Sequence, residues 1–257
     1  MKNKINIAII GLGMVGSAVY SCLKQDAMVF DKSTQLLNYV SYKTSGIKDT
    51  DYVFVCVDTP SDNKGQDASN LRIVLDTLVL NNYKGIVIVK STVLYRIMDD
   101  YQSKLKLVMN PEFLNEVSSK KDFYEQQYIV LGGDIRYTKQ VEMLYCEHFD
   151  LKYDDILFEH CSVKESIDFK YIRNMQNIYK LLFWEFVHDM THNSRKISQM
   201  LNNLPTGEMQ IIGMDGKRGA QGNCLPKDLK ALSDQFKHPT LKYMSEYNNS
   251  LIQNGNM

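Results

Sequence analysis

The chain has 257 residues, 44% of them apolar, which allows one large domain or two modest ones with a real core. Lys and Arg total 30 against 30 Asp and Glu, and no basic run exceeds a few residues. That balance excludes the footprint of a nucleic-acid-binding protein and a polybasic membrane patch.

The apolar run Ile5–Ile10 is too short for a signal-peptide core, and no stretch is long enough to span a bilayer; the expectation is a soluble, cytoplasmic protein. Cys22, Cys56, Cys146, Cys161 and Cys224 are odd in number, and no two lie at metal-ligand spacing. Reduced thiols and no metal are expected.

Ile5–Ile10 reads as a buried strand, Met14–Gln25 as a helix and Ala27–Asp31 as a second strand. Tyr52–Val57 and Ile86–Lys90 are further β-branched apolar runs, with helical spacing over Leu71–Asn81 between them. Lys106–Met109 and Tyr128–Gly132 continue the series. Strands alternating with helices predict an α/β fold, a Rossmann-type doubly wound parallel sheet with ligands at the carboxyl ends of its strands.

From Val163 the pattern changes. Val163 to Leu201 is one helical reading without Gly or Pro, carrying Ile167, Tyr171, Ile178, Leu181, Leu182, Trp184, Phe186, Val187 and Met190. So wide an apolar face must pack on something, a second subunit included. A Gly-rich segment, Gly207 to Gly222, precedes a helix from Pro226 to Phe236; His238-Pro239 breaks the chain, and Leu241–Gln253 is a last helix. The expected plan is a sheet domain over 1–161 and an all-helical domain over 162–257.

Gly11-Leu12-Gly13-Met14-Val15-Gly16 follows a predicted strand and opens a predicted helix, the context in which a glycine pattern becomes informative. The glycines permit a tight turn and a close approach to a pyrophosphate, and the helix N-terminus offers it N–H groups and positive partial charge. Asp31 ends the second strand about 20 residues on, where a carboxylate accepts from both ribose hydroxyls and repels a 2′-phosphate. NAD is therefore the expected cofactor.

Asp58-Thr59-Pro60 and Ser91-Thr92 stand at other strand ends, where hydroxyls more often cap helices than act on ligands. Glu112 and Glu116 share a face if their segment is helical, and one of them at a strand end is a candidate general base; a solvated acidic turn is the plainer account. Cys224 precedes Pro226 and so lies just before a helix, with Lys227 near and Asp228 one turn on. That setting favours a thiolate, although a buried structural cysteine is the usual fate of the residue. Lys170 and Asn174 form an i, i+4 pair that could donate to an oxyanion, or be a solvated helix face.

Taken in order, Gly11–Gly16, Cys56-Val-Asp-Thr-Pro60, Lys90-Ser-Thr-Val93, Asn110-Pro-Glu-Phe-Leu-Asn-Glu116, Lys170-Tyr-Ile-Arg-Asn174 and Gly222-Asn-Cys-Leu-Pro-Lys-Asp228 resemble the UDP-glucose 6-dehydrogenase family of nucleotide-sugar dehydrogenases. The resemblance runs over nearly the whole chain. It implies oxidation of a sugar C6 alcohol to the acid with NAD, through a thiohemiacetal and a thioester on Cys224.

It further implies that Lys170 and Asn174 stabilise the oxyanion and that Asp228 holds the hydrolytic water. Glu112 would act in acid–base chemistry, Thr92 would position water and Glu116 would line the sugar or cofactor site. Gly11, Gly13, Met14, Val15, Gly16, Asp31, Thr59, Pro60 and Thr92 would hold NAD, and the long helix would pair two copies as a homodimer.

The sequence departs from the family at Leu94 and Arg96, where Pro and Gly are usual, at Asn115, where Arg is usual, and at Gln221, where another glycine is usual. The family also continues into a C-terminal domain that binds the nucleotide, expected here to be absent. Two other readings stay open: a non-catalytic NAD-binding remnant or regulator, and a small 3-hydroxyacid dehydrogenase in which Lys170 and Asn174 act without Cys224.

Overall fold

The computed structural model describes residues 5–32, 46–63, 65–191, 193–202 and 217–254. The chain divides into two compact units, one of residues 1–60 and 67–170, the other of residues 61–66 and 171–257.

In the first unit the strands are β1 (Ile7–Ile10), β2 (Met28–Phe30) and β3 (Tyr52–Val55). The short strands β4 (Ser61–Asp62) and β5 (Gly65–Gln66) follow in the chain and belong to the second unit. The first unit resumes with β6 (Ile86–Val89), β7 (Lys106–Met109), β8 (Tyr128–Gly133) and β9 (Leu157–Cys161). Its helices are α1 (Met14–Ser21), α2 (Ser69–Leu80), α3 (Tyr95–Gln102), α4 (Ser119–Tyr124) and α5 (Ile135–His148).

The sheet order is β2-β1-β3-β6-β7-β8-β9. The first five are parallel, β8 runs antiparallel to β7, and β9 pairs parallel with β8. The sheet is thus Rossmann-like, with a reversed pair at one edge rather than parallel throughout.

Burial on both faces explains the unbroken apolar runs. Ile7, Ile9, Phe54, Cys56, Ile86, Ile88, Val108, Ile129 and Leu131 form one core with Ala18 and Val19 of α1, Phe123 of α4 and Val141, Leu144 and Tyr145 of α5. Strand residues of the other parity, such as Ala8, Val53, Val55, Val87 and Val89, are buried too. Alternation disappears when both faces are covered. β9 reads Leu-Phe-Glu-His-Cys and is half-exposed at the sheet edge, so it lacks the apolar run that marks the inner strands.

After Val163 every described element is a helix: α6 (Val163–Met190), α7 (Ser194–Asn202), α8 (Leu225–Phe236) and α9 (Pro239–Asn254). The single helical reading to Leu201 is broken between α6 and α7. There Asn193 N–H donates to Thr191 Oγ1 at 3.2 Å, and Asn193 O accepts from Ile197 N–H at 3.0 Å. Short polar side chains bonding to nearby backbone compete with the helix without any Gly or Pro.

On α6, Ile167, Tyr171, Ile178, Leu182 and Trp184 are buried, while Ile172, Tyr179 and Phe183 are exposed. The side chains of Phe186, Val187 and Met190 lie outside the described residues, as does Gly207 with most of the glycine-rich segment.

In the second unit α8 packs against α9 and against the β4–β5 hairpin. Helix α9 buries Leu241, Met244, Asn248 and Leu251, a stripe at helical spacing. Among the described residues no helix is long and apolar enough to cross a membrane.

Candidate functional site

The strand order changes direction between β1 and β3: β2 lies outside β1, and the chain returns to place β3 on the other side. Ligands of open α/β sheets bind at such a switch point, beyond the carboxyl ends of the strands. The loop after β1 carries Gly11, Leu12 and Gly13, and the loop after β3 carries Cys56–Pro60.

Gly11 has φ +90°, and a Cβ there would meet Cys56 O at 2.5 Å. Only glycine satisfies both the backbone conformation and that closeness. A Cβ on Gly16 would meet Gly11 O at 1.9 Å, so this glycine lets α1 approach the loop. At Gly13 a Cβ would meet nothing within 4 Å.

Gly13 is also the N-cap of α1 and gives it no side-chain cap. Met14 and Val15 open the helix. Uncapped N–H groups beside open space at Gly13 fit the pyrophosphate of a dinucleotide. Asp31, at the end of β2, accepts from Leu12 N–H at 2.6 Å and so joins the second strand to the glycine loop. Thr59 is buried and donates to Thr92 O at 2.5 Å; Thr92 is half-buried and Pro60 exposed.

A second polar group lies at the ends of β6 and β7. Lys90 is 2% exposed, and its Nζ donates to Asn110 Oδ1 at 2.9 Å and Asn110 O at 3.3 Å. Tyr145 OH donates to the same Oδ1 at 2.6 Å, and Asn110 Nδ2 donates to Val130 O at 3.0 Å. Burial holds the Lys90 ammonium down to about 8, and burial pushes the Cys56 thiol up to about 12. Cys56 is therefore a structural cysteine.

The network holds Asn110 just before Glu112. Glu112 is 7% exposed; its Oε2 accepts from Leu114 N–H at 2.6 Å, and its Oε1 lies 3.0 Å from Lys170 Nζ. Lys170, itself buried, also donates to Glu112 O at 2.7 Å, with its Nζ 5.5 Å from the Phe113 ring centre. Glu112 and Lys170 thus form a buried ion pair within the first unit.

The helical pairing of Glu112 with Glu116 is not seen. Residues 111–115 are neither helix nor strand, and a turn begins at Glu116, which is exposed. Pro111 leaves Asn110 in extended backbone, which keeps a helix from starting there.

In the second unit, Cys224 is the N-cap of α8, with Pro226 in the helix's first turn, and the cysteine is half-exposed. Its carbonyl accepts from Asp228 N–H at 3.0 Å. Asp228 is 1% exposed, and Asn174 Nδ2 of α6 donates to its Oδ2. Lys227 Nζ stands 2.8 Å from Oδ1, yet off the line of a hydrogen bond, so this buried oxygen has an ionic neighbour and no hydrogen-bond donor among the described residues. Burial and the Asp228 charge push the Tyr171 hydroxyl well above its ordinary range; its OH accepts from Gln66 Nε2 of β5 at 3.1 Å.

The structure therefore brings together Gly11, Gly13, Gly16 and Asp31; Glu112 and Lys170; and Asn174, Asp228 and Cys224. Sequence reasoning gave no role to Lys90, Asn110, Tyr145, Gln66 or Tyr171. The available signal at Lys90 was a charge closing an all-apolar strand; Tyr145 and Gln66 carried none.

Residues 24–149 match the model of the UDP-glucose/GDP-mannose dehydrogenase family, NAD binding domain. The chain is 25% identical over 221 residues to a UDP-glucose 6-dehydrogenase of Rickettsia bellii (strain RML369-C), covering 79% of this chain and 49% of the relative. It thus spans about half the length of the curated relatives it matches.

The fold is similar to that of a UDP-glucose dehydrogenase from Pyrobaculum islandicum, with a TM-score of 0.76, 19% identity, and coverage of 98% of this chain and 68% of that one. It is also similar to a 3-hydroxyisobutyrate dehydrogenase from Mycobacterium tuberculosis, with a TM-score of 0.69, 13% identity, and coverage of 98% and 94%. The matched residues, Asp31 among them, accordingly belong to an NAD-binding Rossmann domain, and the glycine loop stands just before them.

Proposed function

We propose that the chain is a member of the superfamily of NAD-binding UDP-sugar and GDP-mannose dehydrogenases, as the matches support, and that it oxidises the C6 alcohol of a nucleotide sugar to the acid, with UDP-glucose as substrate. NAD, when bound, supplies a hydride acceptor for each of the two oxidations. Gly11, Gly13, Met14, Val15 and Gly16 cradle its pyrophosphate. Asp31 takes the ribose, and Thr59, Pro60, Thr92 and Glu116 line the remainder.

The chemistry falls to the other polar groups. Cys224 Sγ adds to the C6 aldehyde, forming a C–S bond, and the carbonyl oxygen becomes the thiohemiacetal oxygen, held by Lys170 and Asn174. Loss of hydride from C6 leaves a thioester. Water held by Asp228 and positioned by Thr92 attacks that carbonyl, Glu112 takes the water's proton, and the thiolate leaves. Residues 1–161 form the NAD domain and 162–257 the domain carrying Cys224; two copies pair through α6, and the enzyme works in the cytoplasm.

The observation that carries the reading is Asp228: a fully buried carboxylate bonded to Asn174, one turn after a half-exposed cysteine at a helix N-terminus. A buried charge needs partners, and the lone pairs of its Oδ1, which take no hydrogen bond among the described residues, suit a water. The test is an NADH assay with a panel of nucleotide sugars. UDP-glucose should yield NADH and sugar acid in a ratio of about two to one, and Cys224→Ala should abolish acid formation.

NAD binding without turnover on any nucleotide sugar would instead establish a non-catalytic NAD-binding protein. The near-complete coverage of the 3-hydroxyisobutyrate dehydrogenase fold favours a third outcome: turnover of 3-hydroxy acids that Cys224→Ala leaves intact.

A further inference from the structure

The strap leading into Cys224 is held by two buried polar side chains from different helices of the second unit. Glu185 of α6 is 1% exposed; its Oε1 accepts from Gly219 N–H at 2.9 Å and its Oε2 from Arg218 Nε at 2.7 Å. Asn248 of α9 is also 1% exposed; its Oδ1 accepts from Ala220 N–H at 2.6 Å, and its Nδ2 donates to Ala220 O at 3.1 Å.

The amide thus pairs both backbone groups of one residue, as a neighbouring strand would. Gln221 Nε2 adds a bond to Arg218 O at 3.0 Å. Gly219, at φ +76°, has no room for a side chain to spare: a Cβ would lie 3.2 Å from Asn248 Oδ1 and Ile252 Cγ1. Downstream, Asp228 N–H fixes Cys224 O as the first acceptor of α8. Only Gln221, Gly222 and Asn223 lie between the two anchors.

Burying two side chains to hold two peptide groups is far more than a surface loop needs. A loop with its own packing would leave its backbone to water. We propose that Glu185 and Asn248 are positioning residues for Cys224: together they clamp Gly219 and Ala220 so that the chain enters α8 with the sulfur presented at the helix N-terminus. The inference rests on the reading of Cys224 as the nucleophile. Neither residue touches a reacting atom; each acts through the strap.

The test follows alkylation by iodoacetamide at neutral pH, read cysteine by cysteine by peptide mass spectrometry. Exposed Cys146 on α5 is the control within each molecule. Glu185→Leu and Asn248→Ala should each slow alkylation of Cys224 relative to Cys146 by about tenfold, as the sulfur is no longer presented at the helix N-terminus. Glu185→Gln, which still accepts from Gly219 N–H, should restore most of the rate.

If Asn248→Ala does not fold, Gly219→Ala, which strains the clamp at its contact point, carries the same expectation. An unchanged or raised Cys224 to Cys146 ratio in folded variants would overturn the proposal, and so would an equal loss in Glu185→Gln. The measurement needs neither NAD nor sugar, so a wild-type protein without turnover leaves its outcome intact, and failure of the clamp leaves the dehydrogenase reading to its own assay.

Discussion

Replacing Lys90 by methionine removes a buried charge whose cost can be followed by pH. Its ordinary value is 10.5 and burial in the first unit lowers it to about 8. Below the folded value both folded and unfolded chains carry the charge, and the folded one bears the whole desolvation penalty, about 3 kcal/mol. Between 8 and 10.5 the folded chain has given up its proton while the unfolded chain still holds one, so stability rises with pH. Above that window the penalty is gone.

The methionine variant lacks this titration. The two proteins should differ little at neutral pH, because Asn110 O loses a donor in the variant, a loss of about 1–3 kcal/mol that offsets the relief. Asn110 Oδ1 keeps Tyr145 as its donor. Urea unfolding at several pH values, followed by circular dichroism, gives the difference. From about pH 7 to about pH 9.5 the wild type should gain about 2 kcal/mol on the variant. A difference that stays constant across that range would refute the claim that burial sets the charge of Lys90.

Gly11→Ala should destabilise the first unit by about 1–3 kcal/mol and abolish NAD binding, since φ +90° and the 2.5 Å approach to Cys56 O both exclude a side chain. Gly13→Ala should hold its melting temperature and lose NAD affinity, because the methyl fills the open space offered to phosphate; thermal shift and calorimetric titration separate the two cases. Asp31→Ser should let NADP compete with NAD, read from the ratio of their affinities, since the carboxylate that repels a 2′-phosphate is gone. Asn174→Leu deprives buried Asp228 of a charge-assisted donor and should lower stability by about 1.5–3 kcal/mol in urea titrations.

How much of this could be read in the chain depends on where each residue's partners sit. Inner strands announce themselves because burial on both faces demands unbroken apolar runs, as in Ile86–Val89. Strand β9, half-exposed at the sheet edge, and the two-residue strands β4 and β5 demand no such run. The direction of β8 is likewise silent: an apolar run looks the same whichever way it lies, and what decides it is the path from Asn110 to Gln127 through the short helix α4. Helix α6 ends beside a hydrogen bond between Asn193 N–H and Thr191 Oγ1, a stop made without the Gly or Pro that would mark it in the sequence.

The site divides along the same line. The glycine loop is legible because its constraint is local: backbone turn, helix start and acidic partner all fall within one short span, and the loop meets Asp31 through Leu12 N–H. Glu112 looked no different from Glu116 by spacing. What separates them is Lys170, from more than fifty residues away in sequence, whose ammonium lies against Glu112 and draws it into the interior while Glu116 stays exposed. Glu185 and Asn248 show the limit of sequence reading most clearly: each looks like an ordinary polar residue on an amphipathic helix, and only the peptide groups of a distant strap give it a partner. A polar residue on a buried helical stripe, as Asn248 is among Leu241, Met244 and Leu251, is the one mark such a clamp leaves in the sequence, because burial without a bond would cost more than the helix gains from its neighbours.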